Sequence, residues 1–359
     1  MGAIDKLRFK EQDITLYKAG LPDFPRNFTR DAIISAILMQ DKNMLKDQLI
    51  YCARLQGTKK DNLTGEEPGK IFHEFPGVLL NGRYTTFNAC DTNALFLIGH
   101  EIYLKLSGDY SLLESQKQSI INSVKYIKLH IKNGGFFEDP KFSGADEFAL
   151  KVTYWKDSVI IDRENGIPKY PVIYSLAHVQ NMRAIKSAYY LLKDISLLRL
   201  YYNMREFFNK TLFDNKDNFI NTVDAYGPIK SISSDMLHIL FYLSKEDINK
   251  TKINKIVENS NLLETEYGYR TLNFKDAEKI QDKYHTSSVW PFEQALINIG
   301  AKKFNLIRVE EISYRVFQYL DTNPELFHLN GRIKKSGCDP QLWTIAAKYY
   351  FKNKKGVFP

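Results

Sequence analysis

The chain has 359 residues, 44% of them hydrophobic and 26% charged, which is enough for a large core and excludes a disordered or fibrous protein. Lys and Arg number 50 against 42 Asp and Glu, a formal charge of +8. The positive residues are spread, and only Lys334-Lys335 and Lys352, Lys354 and Lys355 cluster, so no nucleic-acid partner is expected.

No apolar run approaches the roughly 20 residues that cross a bilayer. Residues 1–10 are too charged for a secretory leader. Cys52, Cys90 and Cys338 are scattered and odd in number, which argues against a disulfide framework or a Cys-rich zinc site. A cytoplasmic protein without membrane contact is the expectation.

Periodicity predicts helix after helix, with almost no alternation of period two. The first helical span is 29–55, followed by an irregular segment over 57–92. Ala94-Leu-Phe-Leu-Ile98 is apolar on every side, so it belongs to a helix buried all round. Over 111–132, Ile120, Val124, Ile127 and Ile131 recur at three- and four-residue steps with Asn122, Lys125 and Lys128 between them, the pattern of one buried stripe on an outer helix. Irregular 133–172 leads into helical 176–193 and 195–208, and irregular 222–234 into helical 235–243 and 246–260. Irregular 261–289 precedes helical 290–299. Phe304, Ile307, Ile312, Val316 and Leu320 then mark another one-sided helix before irregular 322–338 and a last helix over 339–352. Inner and outer helices emerge. Twelve of them with their loops take about 30 residues each, which suits a double ring of α-hairpins, an all-α (α/α)6 toroid. No Pro- or Ser-rich linker divides the chain, so a single domain over 1–359 is expected.

Long irregular segments in a compact domain are usually functional. Here they carry carboxylates beside aromatics and amides, in a chain with 22 Tyr and 23 Phe. That mixture suits sugar chemistry, in which two carboxyl groups cleave a glycosidic bond and aromatic faces hold the ring. Tyr154-Trp-Lys-Asp-Ser158 sets Asp157 close to Trp155; an apolar neighbour favours the protonated acid, although an Asp here also suits a cap or turn. Glu325 stands behind Pro324, either rigidly placed or simply a solvated loop acid. Arg30 and Asp31 open an apolar helix, as sugar ligands or as a buried ion pair.

Residues 64–74 hold Glu67, His73 and Glu74 without the i, i+4 pair of a helical zinc motif, so no metal is expected. Residues 284–296 bring His285 and Trp290 to a helix start with Pro291 near its first turn; Trp290 suits stacking on a ring or filling the core. There is no phosphate loop and no nucleophile elbow.

Taken in order, the words Phe28-Thr-Arg-Asp31, Thr64-Gly-Glu-Glu-Pro-Gly-Lys70 with His73-Glu74, Asp91-Thr-Asn93, Trp155-Lys-Asp-Ser158, Val179-Gln180, Gly268-Tyr-Arg-Thr-Leu272, Ser288-Val-Trp-Pro291, Pro324-Glu-Leu-Phe327 and Pro340-Gln-Leu-Trp343 resemble a known family. It is the amylo-α-1,6-glucosidase type, the C-terminal half of glycogen debranching enzymes, with the related inverting α-glycosidases on six-hairpin (α/α)6 barrels. The resemblance implies Asp157 as general acid and Glu325 as general base. It implies that Arg30, Asp31, Glu67, His73, Glu74, Gln180, His285 and Trp290 line the glycosyl subsite, with Trp155 stacking. It implies hydrolysis of an α-glucosidic bond, with α-1,6 among the candidate linkages, with no cofactor and no metal, carbohydrate being the partner.

Family members usually carry a further domain before the toroid. A chain of 359 residues leaves no room for one, which points to a short glycoside, a glucan stub or a glycosyl-glycerate. The family's F-G-R-D is Phe28-Thr-Arg-Asp31 here, and Phe292-Glu-Gln294 replaces its usual Asp-Asn after V-W-P, so the pocket wall is altered. The alternative is a catalytically silent carbohydrate-binding or regulatory protein on the same toroid. Oligomeric state is not set by the sequence.

Overall fold

The computed structural model describes residues 2–157, 167–330 and 332–359; Ser158, of the Trp155-Lys-Asp-Ser word, lies outside the described residues. Helix α1 (Thr29–Met39) ends where Gln40 turns left-handed, and Asp41 at once caps α2 (Lys42–Arg54) by accepting from the Asn43 and Met44 amides. The span 29–55 is therefore two packed helices, with a polar stop and a polar start that periodicity alone passes over. Next come α3 (Thr92–Ser107), α4 (Ser111–Ser115), α5 (Lys117–Leu129), α6 (Ser175–Leu192), α7 (Ile195–Thr211), α8 (Asp235–Tyr242) and α9 (Lys250–Ser260). The short α10 (Phe274–Ala277), then α11 (Pro291–Phe304), α12 (Ile307–Tyr314) and α13 (Leu342–Asn353) complete the helices of the described residues.

Burial sorts these helices into two classes. In α1 every residue from Thr29 to Leu38 is buried, and α3, α8 and α11 are enclosed almost as fully. In α7 only Leu197, Tyr201, Met204 and Phe208 are buried, a single stripe at three- and four-residue steps. The enclosed helices pack in the order α1, α3, α6, α8, α11 and α13, and α13 returns to pack on α1 and close the ring. Around them α2 lies on α1, α5 on α3, α7 on α6, α9 on α8 and α12 on α11, while the short 3-10 helix Ala3–Lys6 meets α13. This is the (α/α)6 toroid. A contiguous set of apolar side chains runs through it, from Leu7 to Phe351.

Short antiparallel ladders decorate the frame. Arg8–Glu11 pairs with Ile14–Tyr17, and Asn27–Phe28 pairs with Glu74–Phe75. Leu326–Asn330 bridges Ser288–Val289 and the strand that follows it. Most strands have two to five residues, too few for alternation to register in sequence. No helix of the described residues is long and apolar enough to cross a membrane.

Candidate active site

The inner helices present their first turns to one end of the ring. A cavity of about 300 Å³ opens there, between the starts of α1, α11 and α13 and the loops around them. Arg30, Asp31, His73, Glu74, Trp155, Asp157, His285, Trp290 and Glu325 all line it. Nine of the eleven residues singled out from the sequence therefore share one cavity, although Asp157 and Glu325 are far apart in the chain.

Arg30 and Asp31 occupy the first turn of α1. Arg30 grips Asp91, at the start of α3, with two parallel bonds of 2.8 and 2.9 Å. Burial works against the guanidinium's charge, but Asp91 outweighs it and keeps Arg30 a cation. Asp31 is pushed well above the usual carboxylate range by burial, with Arg30 opposing. His73 lies edge-on to Phe28 with ring centroids 5.2 Å apart. Burial, then the Arg30 and Arg26 charges, hold His73 well below its ordinary value, so it is neutral. Glu74 accepts from the Arg26 guanidinium and from the Thr85 hydroxyl.

Trp155 and Lys156 anchor the chain just before Asp157. The Trp155 indole donates to Asp235 Oδ1 at 3.0 Å, and Lys156 Nζ donates to Ser233, Ser234 and the Thr271 carbonyl at 2.6, 2.8 and 3.1 Å. Asp157 remains partly open to the cavity, 3.8 Å from His285 Nδ1. His285 stacks on Trp290 at 5.1 Å. Burial, with Lys156 and Arg30 nearby, keeps His285 well below its ordinary value, so its contact with Asp157 is not an ion pair. Enclosure raises the Asp157 carboxyl to about 7 against the pull of Arg30, with Glu74 and Asp91 adding to the rise.

Glu325 is held from two sides. The Tyr284 hydroxyl donates to Oε1, and the Cys338 amide donates to Oε2 at 3.0 Å. Burial raises Glu325 above its ordinary value, while both donors favour the ionised form. Gly337, at φ +71°, lies against this carboxylate, where any Cβ would strike it.

Two expected residues stand elsewhere. Glu67 is buried elsewhere, 2.9 Å from His130 Nε2 and 3.3 Å from the Lys70 ammonium, and these two side chains take up its carboxylate oxygens. Gln180, on α6, donates at 3.1 Å to the Tyr242 hydroxyl of α8 and so ties two inner helices together. Neither lines the cavity. Arg26, Tyr284, Gln341 and Trp343 line it without having been assigned a role from sequence. Their signal was present: Tyr284 precedes His285, and Gln341 and Trp343 belong to the Pro340-Gln-Leu-Trp343 word.

Asp235, His238 and Glu293 bring ligand atoms within 4.8 Å of one another, as a metal site does. The Lys156 ammonium, 3.1 Å from Asp235 and 3.9 Å from Glu293, already fills the cation's place.

No protein-family model and no curated protein matches the sequence. Solved structures do. A GH63 mannosylglycerate hydrolase from Thermus thermophilus, in complex with Tris and D-glycerate, is similar with a TM-score of 0.70 at 10% identity over 98% of both chains. A structure of that hydrolase in complex with glucose gives 0.66 at 12% identity, covering 94% of this chain and 95% of that one. An uncharacterized conserved protein from the same organism gives 0.69 at 11% identity with the same coverage. These likenesses establish the shared six-hairpin toroid.

Proposed function

We propose that this protein is a glycoside hydrolase cleaving the α-glycosidic bond of a short substrate by single displacement with inversion. The observation that carries the reading is the convergence of Asp157, raised to about 7, and Glu325, held by two donors, on one aromatic-walled cavity. A carboxyl near 7 is protonated often enough at neutral pH to act as an acid, and a carboxylate fed by hydrogen bonds acts as a base. The likeness to a mannosylglycerate hydrolase supports the same class of reaction.

In this reading Asp157 gives its proton to the glycosidic oxygen as the bond to the anomeric carbon breaks. Glu325 takes a proton from the water whose oxygen forms the new bond from the opposite face. Inversion requires the two carboxyl groups to stand about 6.5–9.5 Å apart, leaving room for that water. Arg30, Asp31, His73 and Glu74 offer hydrogen bonds to sugar hydroxyls, and Trp155, Trp290 and Trp343 give the cavity its apolar wall. Glu67 and Gln180 support the frame from outside the pocket. The chain acts as one domain and uses no cofactor.

A cavity of about 300 Å³ suits one sugar unit and a small aglycone. A short glucoside, a disaccharide or a glycosyl-glycerate fits this volume more readily than a branched glucan, and a debranching stub is the largest candidate. The test is a screen of α-linked glucosides, mannosides and glycosyl-glycerates, following the anomeric configuration of the first-released sugar by proton NMR. Inverted product is expected. Retained configuration would reject the mechanism, and saturable sugar binding without product would make the chain a binder.

A further inference from the structure

A second cavity, of about 680 Å³, lies on the other side of the segment that carries Tyr284 and His285. Residues of that segment divide between the two: Tyr284, His285 and Trp290 line the first, Lys283 and Ser287 the second. Arg270, Lys283 and Lys334 face the second cavity, with Glu278 the one carboxylate among its described lining residues. Phe274 adds an aromatic ring with the Arg270 guanidinium carbon 5.3 Å from its centroid, and Leu329 and Ile333 add apolar surface.

Arg270 is 8% exposed, and its Nε has no hydrogen-bond partner among the described residues. Among the described residues its Nη2 reaches the Ser287 hydroxyl, at 3.4 Å, and Glu278 acts on its charge without a hydrogen bond among those described. His328 Nδ1, enclosed in the same wall, also lacks a partner among the described residues. A buried guanidinium without a full set of acceptors is costly, and the group that meets its planar fork best is an oxyanion.

We infer that this second cavity is a binding site for a small organic oxyanion carried on an apolar or aromatic body, with Arg270 as the anchor and Lys334 and Lys283 at the rim. It is separate from the sugar pocket, and the inference does not depend on the hydrolase reading.

The experiment is calorimetric titration of the full chain with phenyl phosphate, benzoate, inorganic phosphate and phenol at fixed ionic strength. Saturable binding of phenyl phosphate or benzoate, at least about tenfold tighter than phenol, is expected. The stronger of the two identifies phosphate or carboxylate as the head group, and inorganic phosphate reports the share of the apolar body. Arg270→Gln should weaken binding at least about tenfold, and Lys334→Gln about threefold. Far-UV circular dichroism checks that both variants fold; if Arg270→Gln does not, Lys334→Gln and the salt dependence carry the test. No saturable binding of any anion, equal binding of phenol, or wild-type binding by the folded variants would overturn the inference.

Discussion

The two walls of the sugar pocket each raise a carboxyl group by burial but oppose that burial by different means. Asp157 follows Trp155 and Lys156, which are pinned by their own hydrogen bonds, and enclosure dominates its protonation, with the Arg30 charge only partly offsetting it. Glu325 lies deeper but receives a hydroxyl and an amide proton, so burial is opposed by donors aimed at the ionised form. The difference teaches that depth alone does not assign acid and base. What matters is whether the surrounding groups stabilise the neutral or the charged state.

Removing one carboxyl at a time tests this contrast most severely. Asp157→Asn and Glu325→Gln should each lower kcat by about 10³-fold on an alkyl glycoside, measured by product release. Only Asp157→Asn should recover on a glycosyl fluoride, whose leaving group needs no proton. Recovery in the Glu325 variant instead would exchange the two roles.

The pH profile of kcat/KM comes next in size. Asp157 must be protonated, so activity should fall as pH rises through about 7. Glu325 must be ionised, so activity should fall on the acid side through a value above the ordinary glutamate one. Beyond each limb the loss is about tenfold per pH unit.

A smaller change should separate the walls further. Tyr284→Phe removes a donor to Glu325 alone. Its acid limb should move upward while the limb near 7 stays in place, with kcat reduced by about tenfold. Movement of both limbs would mean that the walls are electrostatically one unit. Smallest is Gly337→Ala, which places a methyl group against Glu325 at a left-handed position. Unfolding in denaturant should show a loss of about 1–2 kcal/mol, with the acid limb disturbed and the alkaline one intact.

The frame was more legible in sequence than the wall. Ala94 to Ile98 could only be an enclosed helix, and Ile120, Val124 and Ile127 could only be one stripe, because burial pattern and helical period are the same fact seen twice. The break at Gln40 was hidden, since a left-handed polar residue costs the pattern nothing. Asp157 and Glu325 stood out through the words around them. Glu67 and Gln180 came from the same resemblance, yet their side chains are spent on His130, Lys70 and Tyr242. Arg26 was given no part because it depends on Glu74, and the bond from Tyr284 to Glu325 was equally hidden although Tyr284 stands beside His285: side-chain pairing across about 40 to 50 positions leaves no local trace.

The closure of α13 on α1 also bears on how the protein comes into being. About 300 residues of chain separate these two helices, so their meeting is a contact of very high order with a large entropic cost of loop closure. Arg30 and Asp31 come from one side of that seam, Gln341 and Trp343 from the other. In a refolding chain, hairpins can gain helix content locally while the bowl that receives a ligand is still open. Ligand-binding competence therefore requires that seam to have closed, and helicity is a poor reporter of it.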